Sequence, residues 1–393
     1  MATVSYFDFA LVDNTRFEFQ VRGEGKDFCC YFDFGRPIVL TDKTLTATLA
    51  IISGRAFDRI EVGHPLPPDC VEFLRSFCRA EIVPSASAPN LAVPYVPQKS
   101  GNIGLSFSGG FDSLAAWKLL PAQNTTLISL DFGGRFSREA QFFTNFPVIS
   151  VKTNLVAARF HTHTWAFMAL GAILAAPTLG LQTLSFGTIL EASSANMTFR
   201  GLGQIETGYP VFDFLGLTWY NPALGLTEIG TALISAKTHP ELLSESLKSL
   251  AEPGTEKLYR KWVLLRLVER LTGQSLPVEE PRRPYPQHRV PFGSSFTSHM
   301  LSFYMRKHLG AEVADIFVSD VPAAVDEFVA RADLTFFERY NSNFLHKVPP
   351  SYRPGLIKTL ASFGILPYTE KDFLEYQRTL QLLKDAEAKL AGQ

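Results

Sequence analysis

The residues best suited to chemistry run Ser108-Gly109-Gly110-Phe111-Asp112-Ser113, directly after the apolar stretch Ile103 to Phe107 and before a helical pattern beginning at Leu114. Two adjacent glycines let a backbone turn tightly and come close to an anion. A helix starting just beyond offers unpaired N–H groups and the positive end of its dipole. Ser108 and Ser113 add hydroxyl donors, with Ser106 at the entry to the segment. Asp112, expected to face ligand rather than core, is of the type that holds the magnesium accompanying a polyphosphate. Binding of a nucleoside triphosphate is the chemistry such a segment predicts. The lysine of the G-x-x-x-x-G-K-[ST] phosphate loop is missing. The plainer alternative is an ordinary Gly-Gly turn with an Asp at a helix start.

A loop of this kind needs a strand before it and a helix after it, and the middle of the chain supplies that alternation repeatedly. Thr126 to Phe132, Pro147 to Val151 and Thr183 to Gly187 read as further strands, with a long helix from about His161. The pattern predicts an α/β fold, a parallel sheet with helices on both faces, in which ligands bind beyond the carboxyl ends of the strands. Asp131, Gly133, Arg135 and Arg138 lie past the second strand, and Gly187, Thr188 and Glu191 past the fourth. His161 and His163, two apart on a helix, would point in different directions, so a metal pair is not expected there.

S-G-G-x-D-S resembles the pyrophosphate loop of the ATP pyrophosphatase superfamily, whose members cleave ATP between the α and β phosphates. The stretch Asp131-Phe132-Gly133-Gly134-Arg135-Phe136-Ser137-Arg138-Glu139 is similar to the D-Y-G-Q-R-H-R-x-E stretch of the 7-cyano-7-deazaguanine synthase family, which adenylates a carboxylate and carries it through an amide to a nitrile. Asp131, Gly133, Arg135 and Glu139 match, whereas Phe136 and Ser137 stand where that family has His and Arg. Ser185-Phe186-Gly187-Thr188-Ile189-Leu190-Glu191 is similar to the G-T-N-x-x-E class that binds the α-phosphate side and magnesium.

The resemblance implies a Rossmann-like ATP-binding domain using ATP and magnesium. Backbone N–H groups of Gly109 to Ser113 would take up charge on the departing pyrophosphate, and Asp112 with Glu191 or Asp131 would hold magnesium. Arg135 or Arg138 would meet the substrate carboxylate or the phosphates, and His161 would lie near adenosine. An amine or ammonia would then displace AMP, as in a ligase forming a C–N bond. This sequence also departs from the family. Leu226 occupies the place of a family lysine, and Pro253 to Leu267 lacks the four cysteines of a zinc site. Zinc is therefore not expected, and packing by Leu258 and Val263 to Leu265 is expected in its place. The similarity covers about Gly101 to Gly273 and does not transfer the acceptor. Rival readings are a tRNA-modifying enzyme, a noncatalytic nucleotide-binding subunit, and an amide or NAD synthetase. Relatives of this branch occur in bacterial defence systems, which makes antiviral defence one setting.

The chain has 393 residues, 46% hydrophobic, with 37 basic and 38 acidic side chains and a net charge of −1. Near-neutral charge excludes a global electrostatic footprint for nucleic acid, although Arg282, Arg283 and Arg289 leave RNA contact open. Proline clusters at Pro84 to Pro97 and Pro277 to Pro291 predict three segments. These are a small α+β domain with linker over 1–97, the ATP-binding domain over 98–275, and a linker with a helical domain over 276–393. The four cysteines, Cys29, Cys30, Cys70 and Cys78, contain no C-x-x-C and read as apolar filling. No signal peptide is apparent. Trp165 to Ala176 is too short to cross a bilayer and is expected to end at Pro177, so no membrane partner and a cytoplasmic location are expected. A homodimer or an operon-encoded protein partner is the assembly expected.

Overall fold

Apolar runs bounded by Gly, Pro and Asn make strands that are buried on both faces when their neighbours run parallel. A computed structural model describes residues 2–23, 25–86, 101–193, 196–197, 208–284 and 289–392. Among them, one large sheet contains β1 (Thr3–Val12), β2 (Arg16–Gly23), β3 (Lys26–Asp33), β4 (Arg59–Val62) and β5 (Glu81–Pro84). It also contains β6 (Asn102–Ser106), β7 (Thr125–Asp131), β8 (Val148–Thr153), β9 (Leu181–Phe186) and β10 (Thr218–Trp219). The order is β10-β9-β6-β7-β8-β3-β2-β1-β4-β5. All pairings are parallel except β1 with β2, β2 with β3 and β3 with β8. The fold is α/β with a mostly parallel ten-stranded sheet.

The helices in chain order are α1 (Asp42–Ser53), α2 (Pro68–Cys78), α3 (Phe111–Leu119), α4 (Ser137–Phe143), α5 (Leu170–Leu179), α6 (Pro210–Phe214) and α7 (Glu228–Thr238). They continue as α8 (Leu243–Leu250), α9 (Glu256–Thr272), α10 (Phe296–Leu309), α11 (Ala311–Ala314), α12 (Ala323–Arg331), α13 (Arg353–Ser362) and α14 (Glu370–Ala391). Among the described residues, no helix is long and apolar enough to cross a membrane.

The chain divides into two compact units, and not at the boundaries expected from the prolines. The first holds Met1–Ser108, Gln123–Phe186 and Thr207–Tyr220, and with them the whole sheet. Its N-terminal strands do not form a sheet of their own, because β3 pairs with β8 through Phe32 with Thr153 and Asp33 with Lys152. Asn154 reinforces the junction, accepting from the Tyr31 N–H at 3.1 Å and donating to the Cys29 carbonyl at 2.7 Å. One core runs from Tyr6, Phe17 and Phe19 through Leu49 to Ile52 of α1 and on to Leu170 to Ala176 of α5. Pro84 closes the edge strand β5, where a missing N–H costs no ladder bond. Pro89, Pro94, Pro97 and Pro286 lie outside the described residues.

Within this unit, β6 to β10 follow the order 3-2-1-4-5 when numbered among themselves, so the order reverses between β6 and β9. The long helix expected from His161 is interrupted. Short 3₁₀ turns at Phe160–Thr162 and Trp165–Ala169 precede α5. His163 Nδ1 lies 2.5 Å from the Ile52 carbonyl and Thr164 Oγ1 donates to the Ile51 carbonyl at 3.1 Å. These side chains tie the segment to α1 at the expense of a continuous helix. Pro177 sits inside α5, which ends instead at Gly180 in the left-handed conformation (φ 61°).

The second unit holds Gly109–Ala122, Gly187–Glu206 and Asn221–Gln393, so the expected third domain shares a body with α3, α7 and α9. It adds a small parallel pair, β11 (Val290–Pro291) with β12 (Val318–Ser319). Its longest helix, α14, opens on a capping box of Thr369 and Asp372.

Candidate functional site

Gly109 has φ 73°, a left-handed value that glycine reaches without strain, and Gly110 is extended as the residue before α3. Gly110 brings no side chain to the helix start, and among the described residues no side chain caps α3. Three successive carbonyls of the loop and helix start accept from serine hydroxyls. Ser246 Oγ donates to Gly109 O at 2.7 Å, Ser113 Oγ to Gly110 O at 2.9 Å and Ser235 Oγ to Phe111 O at 2.9 Å. Three hydroxyls therefore fix three successive peptide planes. Gly187 backs directly onto the same turn, since a Cβ there would lie 2.6 Å from the Ser113 backbone nitrogen. Asp112, Ser113 and Gly187, picked out separately along the chain, are neighbours in the second unit. Thr188 follows, half-buried.

Asp112 is half-buried, and its carboxylate already has partners in the second unit. Thr231 Oγ1 of α7 donates to its Oδ1 at 2.5 Å, and Lys261 Nζ of α9 lies 3.7 Å from its Oδ2. Burial pushes the Asp112 carboxyl up from its ordinary value, and Lys261 pulls it partly back. Lys261 is itself only 6% exposed, which decides that its charge is internal. Burial alone would lower it, but Asp112 and Glu228 raise it, so it stays an ammonium. Glu228 Oε1 lies 3.1 Å from that ammonium, and Arg260 donates to the same carboxylate at 3.1 and 3.3 Å. Burial works against the Glu228 carboxylate, yet Lys261 and Arg260 hold it well below the usual range.

Glu191 is buried behind this group. Its Oε1 accepts from the Glu228 N–H at 3.2 Å, and its Oε2 has no hydrogen-bond partner among the described residues. Burial and the Glu228 charge push its carboxyl well up, which favours the neutral acid. Among the described residues, no three His, Cys, Asp or Glu side chains gather as a metal-binding set. Of the carboxylates named for magnesium, Asp112 is already engaged by Thr231 and Lys261, and Glu191 by the Glu228 N–H.

In the first unit, Ser106 ends β6 opposite Ile128 and Phe186, and Ser108 follows two residues on. Asp131 ends β7, where its Oδ1 accepts from the Gly133 N–H at 2.9 Å, a turn that Gly133 and Gly134 continue with positive φ. Arg135 is exposed, its guanidinium 4.9 Å over the Phe136 ring, and Arg138 is half-buried in α4. Phe136 packs against Phe132 at 5.4 Å. The His161 ring meets Phe167 edge-on at 5.9 Å, and its Nδ1 has no partner among the described residues. Of the basic residues considered for RNA, Arg283 pairs with Glu280 at 3.6 Å.

Thr231, Arg260 and Lys261 escaped the sequence reading. A signal for Lys261 existed, because Leu258, Lys261, Leu265 and Val268 repeat at helical spacing and a lysine there occupies a core position. Leu258 and Val263 to Leu265 are buried. No protein-family model, curated protein or solved structure matches the chain, so the site is read from its own chemistry.

Proposed function

We propose that the chain is an ATP-dependent adenylylating enzyme, forming AMP and pyrophosphate as it activates a carboxylate for attack by an amine or ammonia. One observation carries the reading. The Ser-Gly-Gly-Phe-Asp-Ser segment turns at Gly109, in the left-handed region, and enters α3 at Gly110, which brings no side-chain cap of its own. Helix starts favour anions, and a glycine turn brings the backbone close to them. Serine hydroxyls hold the Gly109, Gly110 and Phe111 carbonyls, which fixes the backbone at the helix start.

In this reading the amides of Gly109 to Ser113 stabilise the departing pyrophosphate, and catalysis is mainly positioning and charge neutralisation. Arg135 and Arg138 are the proposed contacts of the acceptor carboxylate. Magnesium belongs to the nucleotide substrate and not to a resident site. The absence of a lysine of the G-x-x-x-x-G-K-[ST] type argues for cleavage at the α rather than the γ phosphate.

The test is product analysis. The chain is incubated with ATP, magnesium, ammonia and a panel of carboxylic acids, and nucleotides are separated by chromatography. AMP with pyrophosphate is expected in the arm holding the right acceptor. ADP as the main product refutes the proposal. ATP held tightly in every arm with no AMP released points to a noncatalytic nucleotide-binding subunit.

A further inference from the structure

An aspartate in the first turn of a helix that is to receive a triphosphate is an electrostatic liability, because its charge opposes that of the ligand. Asp112 occupies that turn. Its charge is met from two helices, by the Thr231 hydroxyl at 2.5 Å and the Lys261 ammonium at 3.7 Å. Lys261 is steered there by Glu228 at 3.1 Å and walled by the Phe111 ring at 5.9 Å. Arg260 in turn pairs with Glu228 at 3.1 Å and with Glu256 at 2.9 Å. Two cations thus serve three carboxylates, and Lys261 is the one placed against Asp112.

We propose that Lys261 is a positioning residue that acts through Asp112, holding the aspartate and cancelling its charge so that the first turn of α3 accepts a triphosphate. The inference rests on the nucleotide reading of the loop. It assigns Lys261 no contact with the nucleotide. Removing Lys261 leaves Glu228 still paired with Arg260, so the loss falls on Asp112 and on whatever anion the turn must bind.

The test is a double-mutant cycle on the full chain, using calorimetric titration with α,β-methylene-ATP and magnesium at about pH 8, where carboxylates are ordinarily ionised. Thermal unfolding checks that each variant is folded. Lys261→Met should weaken binding by about tenfold or more. Adding Asp112→Asn to that variant should restore affinity to within about threefold of the parent, because the uncancelled charge is gone. Lys261→Arg should bind like the parent. If the methionine variant unfolds, Lys261→Gln, which keeps a donor for Glu228, carries the same comparison. A Lys261 variant that binds like the parent overturns the inference, as does a double variant no tighter than the single. A parent chain that does not bind the analogue overturns the nucleotide reading and this inference with it, a result distinct from either of those two.

Discussion

At the scale of single residues, burial decides which carboxylates carry charge. Glu228 has two cations beside it and stays ionised, whereas Glu191, one hydrogen bond away, has a backbone N–H and an unpaired oxygen. The raised Glu191 carboxyl keeps its proton in the folded chain at pH values where the unfolded chain, with an ordinary value of 4.5, releases it. Stability from the protonated form is therefore full below about pH 4.5 and is lost as pH rises through the folded value. Glu191→Gln mimics the neutral acid and cannot ionise. The variant should match the parent in thermal unfolding near pH 4 and exceed it increasingly toward pH 8. A constant difference across that range would mean that Glu191 does not titrate as a buried acid.

At the scale of elements, the loop depends on close approach of two segments distant in sequence. Gly187, just past β9, lies against the backbone of Asp112 and Ser113, and a Cβ there would meet three backbone atoms at 2.6 to 2.8 Å. Backbone cannot yield as a flexible side-chain tip can. Gly187→Ala should cost about 2 kcal/mol or more and displace the first turn of α3. Urea unfolding gives the first quantity, and titration with α,β-methylene-ATP should register the second as weakened binding. Unchanged stability would show that the turn tolerates a shift the structure does not suggest. The same scale explains the broken helix before α5, where His163 and Thr164 bond to α1 carbonyls instead of continuing the helical ladder.

At the scale of the whole molecule, the first unit is built around one sheet whose N-terminal strands complete it. A fragment beginning at Gly101 would lack β3, leaving β8 as an unpaired edge, and would lose the cover that α1 gives α5. Unpaired edges and exposed core surface promote association. Such a fragment should elute as aggregate in size-exclusion chromatography and melt without a cooperative transition. A monomeric, cooperatively folding fragment would restore the separate N-terminal domain expected from the prolines.

The sequence by itself determined the local part of this protein. Alternating strand and helix patterns and the Gly-Gly turn after β6 follow from neighbours a few residues apart, where periodicity and turn chemistry act. Tertiary structure decided what depends on distant pairs. That β3 joins β8, that Asp112 meets Thr231 and Lys261, and that Glu191 accepts from the Glu228 N–H are contacts across tens to more than a hundred residues. Composition and spacing say nothing about which buried cation will face which carboxylate. Only the packing of α3, α7 and α9 against one another sets the charge that the loop presents.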